Sequence, residues 1–362
     1  MRIGFFGSSL VSAYWNGAAT YYRGIIRALA ARGHHITFHE PDAYQRQEHR
    51  DIDDPAWATV SVYAADADAA LSAVESACGD DLIVKASGVG VFDRLLEEAI
   101  ADLKTASNAV VFWDVDAPAT LDRVNNDDTD PFRELIPRFD AVFTYGGGDP
   151  VVKAYGRLGA RDCIPVYNGL DPETHYRVAP DPRFEGHLAF LGNRLPDREA
   201  RVDEFFLTPA ARMPHTRFLL GGAGWGDKPR SPNVAWFDHI FTRDHNAFNS
   251  TPHAVINISR ESMARYGYSP ATRVFEAAGA AACVITDRWQ GIELFFEPDR
   301  EILTAANAND VVDVLAALDP VKARGIGKAA QKRALAHHTY AHRAALVEQV
   351  LEGRQLSAGV AL

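Results

Sequence analysis

The sequence contains little cysteine and no long apolar run. Its three cysteines, Cys78, Cys163 and Cys283, lie far apart among apolar or helical residues of a 362-residue chain. This spacing fits neither a disulfide framework nor a zinc-binding pattern, so we expect a reducing compartment. The N-terminal MRIGFFGSSL holds an apolar run of strand length, too short for a signal-peptide core or a membrane span. We therefore expect a cytoplasmic protein without a transmembrane segment.

Positive charge is also scarce. The chain has 37 Lys and Arg against 48 Asp and Glu, a formal net charge of -11. This balance argues against general binding to nucleic acid or to anionic membranes, so any anionic ligand must be met by a local cluster of cations. The length is too great for one compact core and predicts two domains.

The loop after the first predicted strand lacks the GxGxxG fingerprint of dinucleotide-binding enzymes. Strand Arg2 to Phe6 is followed by a loop of small residues and by a predicted helix from Thr20 to Arg32. Asn16 and Gly17 stand just before that helix, where a small residue lets a ligand approach the backbone. A plain loop glycine is an equally good interpretation. The missing fingerprint counts against an NAD enzyme, and no cofactor is expected.

Two carboxylates, Asp114 and Asp116, directly follow the predicted buried strand Ala109 to Trp113. Enzymes with parallel sheets keep their chemistry at the carboxyl ends of strands, so this pair is the candidate catalytic site. Like charges held so close would raise one pKa, which suits a group that accepts a proton. Asp116 could instead cap the helix that begins near Pro118.

A glycine cluster follows the next predicted strand, Asp140 to Tyr145. Gly146 and Gly147, with Gly148 after them, indicate either a tight turn or a concave array of amides that faces a ligand. Both interpretations need the conformational freedom of glycine. Gly146 and Gly147 are therefore candidate substrate contacts.

The segment Pro172 to Glu185 carries three prolines and little periodicity, which is typical of a linker. It predicts an N-terminal domain over residues 1–178 and a C-terminal domain over residues 179–338. A final helix within residues 339–362 is expected to pack back toward the N-terminal domain.

The second half again begins with a strand, a glycine loop and a helix. Arg194 and Arg198 flank the start of this helix, where a guanidinium can bind phosphate oxygens in a forked geometry. For Arg198, acidic neighbours such as Asp197 could instead be ordinary ion-pair partners. The following strand ends in the loop GGAGWG, which contains Gly222, a further candidate substrate contact.

The most informative segment is GYSPATRVFEAAGAAACVITD, which begins at Gly267. Ser269 is placed to cap a helix over Ala271 to Ala278. Arg273 and Glu276 lie three residues apart and so share a face near the positive end of that helix. The amides and the guanidinium would hold a diphosphate, and the carboxylate would accept hydrogen bonds from ribose hydroxyls. The candidate contacts to such a nucleotide-sugar are Ser269, Thr272, Arg273 and Glu276, although Arg273 and Glu276 could also form an ordinary surface ion pair.

Four segments resemble the spore-maturation-type glycosyltransferases, relatives of glycosyltransferase family four. They are WNGAATYYRGIIRALAARGHHITF, PVYNGLDPETHY, FLGNRLPDREARVDEFF and SPATRVFEAAGAAACVITD. The resemblance implies the α/β GT-B fold, with two Rossmann-like domains whose parallel sheets face a central cleft. One position departs from the pattern of family four, which has a second acid eight residues before Glu276, where this chain has Tyr268.

The resemblance also implies a function. A nucleotide-sugar donor would be held mainly by the C-terminal domain, with Glu276 on its ribose and Arg194 or Arg198 on its diphosphate. The acceptor, a glycan, lipid, protein or small molecule, would approach from the N-terminal domain, and transfer would occur in the interdomain cleft. We expect a metal-independent glycosyltransferase in which Asp114 or Asp116 positions the acceptor hydroxyl. The alternatives are a nucleotide-sugar epimerase on the same fold and a non-catalytic nucleotide-sugar-binding protein.

Overall fold

A computed structural model describes residues 1–359, with side chains through residue 353. The chain divides into two compact units. Unit 1 is Met1–Tyr167 together with the helix that begins at Tyr340, and unit 2 is Asn168–Thr339.

The boundary between the units lies after Tyr167, whereas the linker composition predicts it after residue 178. Residues after Tyr167 pack on unit 2, since the Leu170 amide donates a 2.7 Å hydrogen bond to the His338 carbonyl. The proline-bearing segment therefore lies within unit 2.

Unit 1 alternates strands and helices. Its elements in chain order are β1 (Arg2–Phe6), α1 (Ala19–Ala31), β2 (His35–Asp42), β3 (Thr59–Ala64), α2 (Ala67–Ser76), β4 (Leu82–Ala86), α3 (Asp93–Ala101), β5 (Ala109–Asp114), α4 (Ala117–Asn126), α5 (Phe132–Leu135), β6 (Ala141–Thr144), α6 (Gly148–Arg157) and β7 (Cys163–Pro165). The strands form one parallel sheet in the order β3-β2-β1-β4-β5-β6-β7. Apolar side chains of its inner strands, such as Phe5 and Trp113, are fully buried, as expected for a parallel sheet covered by helices.

Unit 2 repeats this plan. Its elements are β8 (Leu188–Leu191), α7 (Pro196–Val202), α8 (Thr208–Arg212), β9 (Phe218–Gly221), β10 (Val234–Phe237), α9 (His245–Ser250), β11 (Ala254–Asn257), α10 (Glu261–Tyr266), α11 (Thr272–Gly279), β12 (Val284–Asp287), β13 (Leu303–Ala305), α12 (Ala308–Ala316) and α13 (Pro320–His337). The second parallel sheet has the order β10-β9-β8-β11-β12-β13. The last helix, α14 (Tyr340–Gly359), belongs to unit 1.

Each sheet has one point where the strand order reverses. It lies between β1 and β4 in unit 1 and between β8 and β11 in unit 2. Open parallel sheets bind ligands in the crevice outside the carboxyl ends of the strands at this point. The loops that follow these four strands are therefore where a site is expected.

The structure departs from the sequence prediction in two elements. The polar composition of residues 42–62 predicts an irregular segment, but β3 begins within it; only Tyr63 of this strand is buried, so its apolar alternation is weak. The sequence predicts a single helix from Pro196 to Leu207, whereas in the structure α7 is separated from α8 by a π-helical turn, Asp203–Leu207. No helix in the described part of the chain is long and apolar enough to cross a bilayer.

Candidate functional site

Two glycine loops meet at the carboxyl edge of the unit 2 sheet. Gly222, after β9, has a φ of +127°, and a Cβ there would lie 2.3 Å from the carbonyl oxygen of Gly192, after β8. Only glycine permits both this conformation and this approach. The Asn193 side-chain oxygen accepts a 3.0 Å hydrogen bond from the Ala223 amide, which fixes one loop to the other. The backbone beside the reversal point is thus held in one shape.

Arg198, on α7, points its charge toward this edge. It donates a 2.7 Å hydrogen bond to the Asn193 carbonyl, while its buried Nε has no hydrogen-bond partner within residues 1–353. Burial and the nearby charge of Arg273 lower the pKa of Arg198 to about 10, and Asp197 opposes that shift. Two neighbouring guanidinium groups repel each other unless an anion lies with them.

Arg273 lies in the first turn of α11. Its Nη1 is 3.2 Å from Oε2 of Glu276, yet this buried atom makes no hydrogen bond to the described residues. The N-cap residue, Ala271, provides no side-chain cap for the helix amides. The positive end of α11 and two incompletely bonded arginines therefore form a cation cluster, Arg198 with Arg273, that suits a phosphate group.

The predicted helix cap at Ser269 is wrong. The helix begins at Thr272, and the buried Ser269 hydroxyl instead donates a 2.9 Å hydrogen bond to the carbonyl of Gly267. The Thr272 hydroxyl donates to the side-chain oxygen of Asn168 at 3.0 Å, and the Asn168 amide group donates to the Pro270 carbonyl at 3.1 Å. Ser269 and Thr272 thus use their hydroxyls to hold the loop before α11.

Glu276 is 9% exposed and faces two histidines. His175 Nε2 lies 3.8 Å from Oε1 of Glu276. Burial by itself would raise the pKa of Glu276, but Arg273, His175 and His245 lower it below its ordinary value. Burial and the charge of Arg273 lower the pKa of His245 to about 4. The structure therefore presents an ionised carboxylate beside the cation cluster, as an acceptor for hydroxyl groups.

Sequence analysis missed His175 and His245 as neighbours of Glu276. They come from the segment after β7 and from α9, so their distance along the chain hides their proximity. The missed signal is weak, because a histidine in a loop or at a helix start has no distinctive spacing. Within the described residues, no group of three or more His, Cys, Asp or Glu is placed to hold a metal ion.

Arg194 differs from Arg198. Its Nε and Nη2 each donate 2.8 Å hydrogen bonds to Glu199, and its Nη1 donates a 2.9 Å hydrogen bond to Asp227. Its donor groups are therefore already engaged by the acidic side chains of Glu199 and Asp227.

Tyr268 holds the loop before α11 in a strained shape. Its φ is +48°, which is unfavourable for a bulky residue. Its amide donates a 2.6 Å hydrogen bond to the Gln290 carbonyl, and a Cβ on Gly291 would lie 2.1 Å from the Tyr268 ring. The tyrosine is thus packed against the loop after β12.

In unit 1, Asp114 is completely buried at the end of β5. It accepts hydrogen bonds from Ser87 Oγ at 2.8 Å, Tyr155 OH at 2.5 Å, Thr120 Oγ1 at 3.0 Å and the Asp116 amide at 3.0 Å. The pKa of Asp114 is raised, as expected, but the cause is burial rather than a like charge. The four hydrogen-bond donors partly offset that rise.

Asp116 is half-buried and occupies the N-cap position of α4. Its side chain makes no capping hydrogen bond, so the capping interpretation is wrong. The Asp116 backbone is held by the buried carboxylate of Asp114.

The remaining candidates of unit 1 lie in two loops. Asn16 is buried: its side chain accepts from Ser8 at 2.9 Å and donates to the Ser9 and Ser12 carbonyls at 2.8 and 2.9 Å. Gly17 is exposed, with open space where a Cβ would stand.

Gly146 and Gly147 are both buried. Gly147 is the N-cap residue of α6 with a φ of +90°, and a Cβ there would lie 2.1 Å from Val151 Cγ2. This is the geometry of a tight turn into the helix, the first of the two interpretations of the glycine cluster.

Comparison with known proteins confirms the fold. Residues 198–349 match a family model described as glycosyl transferase-like. The structure is similar to HepE of Anabaena in complex with UDP and glucose, with a TM-score of 0.68 and 14% identity over 98% of this chain and 100% of that one. It is also similar to sucrose-phosphate synthase of Thermosynechococcus elongatus, with a TM-score of 0.71 and 16% identity over 99% and 100%.

A third similar structure is an alpha-glucosyltransferase in complex with UDP-glucose and DNA containing an abasic site. Its TM-score is 0.70, with 13% identity over 97% of this chain and 99% of that one. No curated protein matches the chain by sequence. These likenesses show the GT-B fold predicted from the sequence, while the spore-maturation subtype stays a prediction.

Proposed function

We propose that this chain is a glycosyltransferase that takes a sugar from a UDP-sugar bound in unit 2 and transfers it to a hydroxyl group of an acceptor. One observation carries the proposal. Arg198 and Arg273 stand close together at the uncapped end of α11, and each has a buried nitrogen without a hydrogen-bond partner in the described residues. A diphosphate would neutralise both charges and accept from both nitrogens.

The same geometry supports a place for the ribose. Glu276 lies one turn beyond Arg273 and stays ionised beside His175, so its oxygens can accept two hydroxyl groups. The narrow approach of Gly222 to Gly192 leaves backbone rather than side chains at the sheet edge, where a phosphate or sugar can lie close.

Transfer would break the bond between the anomeric carbon and the phosphate oxygen as the acceptor oxygen bonds to that carbon. UDP leaves with the electron pair, and Arg198, Arg273 and the α11 amides stabilise its growing negative charge. In this scheme the chain's own cations replace a metal ion. Preorganised charge of this kind needs no rearrangement during the reaction.

In an inverting route the acceptor hydroxyl would lose its proton to Asp116. We assign Asp116 this role because it is half-buried, whereas Asp114 has no exposed surface. Asp114 would act as a positioning residue, since it binds the Asp116 amide and, through Ser87, the Val115 amide.

The comparisons support the donor class. HepE of Anabaena binds UDP and glucose, and the alpha-glucosyltransferase binds UDP-glucose. The glycosyl transferase-like match begins at Arg198 and includes Arg273 and Glu276.

The test is a thermal-shift screen of UDP and UDP-sugars, followed by donor turnover assays. A ligand that binds only the folded state raises the melting temperature. We expect UDP to do so and a UDP-sugar to release UDP slowly into water without added metal and in the presence of EDTA. Absence of binding by every nucleotide-sugar would refute the proposal. A changed sugar epimer detected by NMR from donor alone would instead identify an epimerase, and tight binding without turnover a binding protein.

A further inference from the structure

Two aromatic rings lie exposed in the loop that follows β1. Trp15 is 78% exposed and Tyr14 is 38% exposed, and their ring centroids are 6.2 Å apart with planes at 79°. The other tryptophans are buried or half-buried. Within residues 1–353 the indole N–H of Trp15 has no hydrogen-bond partner, so both its flat face and its donor are available to a ligand.

The loop is held rigid in a strained shape. Trp15 has a φ of +47°, an unfavourable region for a large side chain. The next residue, Asn16, is buried with three hydrogen bonds to the loop. The Asp51 carboxylate accepts a 2.9 Å hydrogen bond from the Ala13 amide and 2.8 Å hydrogen bonds from both terminal nitrogens of Arg23. Strain that the surroundings maintain in this way is characteristic of functional sites.

The position in the fold also points to a ligand. The loop leaves the carboxyl end of β1, one of the two strands at the reversal point of the unit 1 sheet. Tyr44, in the loop after β2, is likewise 55% exposed with a φ of +57°. Its hydroxyl donates a 2.8 Å hydrogen bond to the Gly90 carbonyl, in the loop after β4.

The groups around the rings favour a hydroxyl-rich ligand over a purely apolar one. The Tyr14 ring stacks on His49 with centroids 4.1 Å apart. The exposed segment next to it is polar throughout: Glu48, His49, Arg50 and Asp51. A lipid chain could contact only the aromatic rings, whereas a sugar could also form hydrogen bonds with these polar side chains. The two acids and the net charge of -11 disfavour an anionic membrane.

We propose that Trp15, with Tyr14 beside it, is a stacking platform for a sugar ring of the acceptor, so that the acceptor is a carbohydrate or a glycoside. The electron-rich face of an aromatic ring attracts weakly positive C–H groups, which a pyranose presents on one face. This inference rests on the proposed glycosyltransferase function and adds the class of acceptor. Asn16 is a positioning residue that sets the angle at which Trp15 is presented.

The experiment is acrylamide quenching of tryptophan fluorescence with a panel of neutral methyl glycosides and disaccharides. Trp15→Phe removes the most exposed fluorophore but keeps a ring, so the difference between wild type and this variant isolates the signal of Trp15. We expect at least one saccharide to shield Trp15, and to bind at least tenfold more weakly to Trp15→Ala than to Trp15→Phe by calorimetry. Asn16→Ala should also weaken saccharide binding. Leu71→Ala, which removes an exposed apolar side chain on α2 of the same unit, should bind the saccharide like wild type.

Three outcomes would overturn the inference. They are shielding of Trp15 by UDP alone, shielding by phosphatidylcholine vesicles but by no saccharide, and no shielding by any of these probes. UDP binding measured in the same samples separates the two proposals. Normal UDP binding without saccharide protection would remove the platform but leave the glycosyltransferase proposal standing, whereas loss of UDP binding in the wild type would remove the donor site itself.

Discussion

Arg273 Nη1 lies 3.2 Å from Oε2 of Glu276, one turn apart on α11, but donates no hydrogen bond to the described residues. The two charges lower each other's electrostatic energy while the buried donor stays available. An ordinary surface ion pair would have no buried donor left over. The arrangement therefore combines a cation for phosphate with a carboxylate for hydroxyl groups, and it can be tested one residue at a time.

Replacing Glu276 with Gln should weaken UDP binding. The variant keeps the size of the side chain but removes the charge that accepts ribose hydroxyls, so we expect about a tenfold rise in Kd, or about 1.4 kcal/mol. Isothermal titration calorimetry measures this directly. Glu293→Gln, an exposed acid in the loop after β12, is the matched control. Equal affinities of the two variants for UDP would contradict the ribose assignment.

Arg198 and Arg194 should behave differently, although they are four residues apart. Arg198→Gln removes a cation with an unfilled donor, so UDP should bind at least about tenfold more weakly, since hydrogen bonds to charged groups are worth about 1.5–3 kcal/mol. Arg194→Gln should change UDP affinity by less than about twofold, because Glu199 and Asp227 already engage its donors.

Uridine is the control ligand for this arginine pair. It lacks phosphate, so its affinity should be the same in both variants and in the wild type. A loss of uridine binding in Arg198→Gln would show that the substitution disturbs the fold of the site rather than a phosphate contact.

Tyr155→Phe should destabilise unit 1 in a pH-dependent way. The folded state raises the pKa of Asp114, so ionisation of this group opposes folding as pH rises above its unfolded value, about 3.9. The Tyr155 hydroxyl favours the ionised form, and its removal should reduce stability by about 1–3 kcal/mol near pH 7. The loss should shrink as pH falls through the raised pKa of Asp114, because the folded state then holds a protonated carboxyl and the Tyr155 hydroxyl no longer stabilises a buried charge.

Urea unfolding at pH 7 and at pH 5 tests this expectation. In an Asp114→Asn background the buried charge is gone, so the additional effect of Tyr155→Phe should not vary with pH. If Tyr155→Phe lowers the stability of the protein with native Asp114 by the same amount at both pH values, the hydroxyl contributes through packing alone.

Gly222→Ala should disrupt the loops at the edge of the second sheet. The new Cβ would stand 2.3 Å from the Gly192 carbonyl oxygen at a φ of +127°, and such strain costs of order 1–3 kcal/mol. Gly325→Ala, on α13 with open space around it, should instead raise stability by about 0.5–1 kcal/mol, as expected for a helical glycine. Melting temperatures of the two variants, with and without UDP, measure both effects. If Gly222→Ala left the melting temperature unchanged, the two loops would be able to move apart without a loss of stability.

Some of the fold could be predicted because its signals are local. The apolar runs of the parallel strands and the helical spacing between them indicated two successive α/β halves, and the strand β1 (Arg2–Phe6) was predicted at its observed bounds. The helix caps were less predictable. A serine shortly before a predicted helix resembles a cap, but the Ser269 hydroxyl donates back to the Gly267 carbonyl, because Asn168 and Thr272 fix the loop in another shape.

The sequence by itself determined that the chain forms alternating strands and helices, and that Arg273 and Glu276 share a helix face, since both depend on spacing alone. Only the tertiary structure decided which charges remain available. Arg194 donates a hydrogen bond to Asp227 in a distant loop, and Asp114 accepts one from Tyr155 on α6. Glu276 lies beside His175. Burial and partnership arise from residues far apart in the chain, and they set whether a charged side chain holds the fold together or is free to meet a ligand.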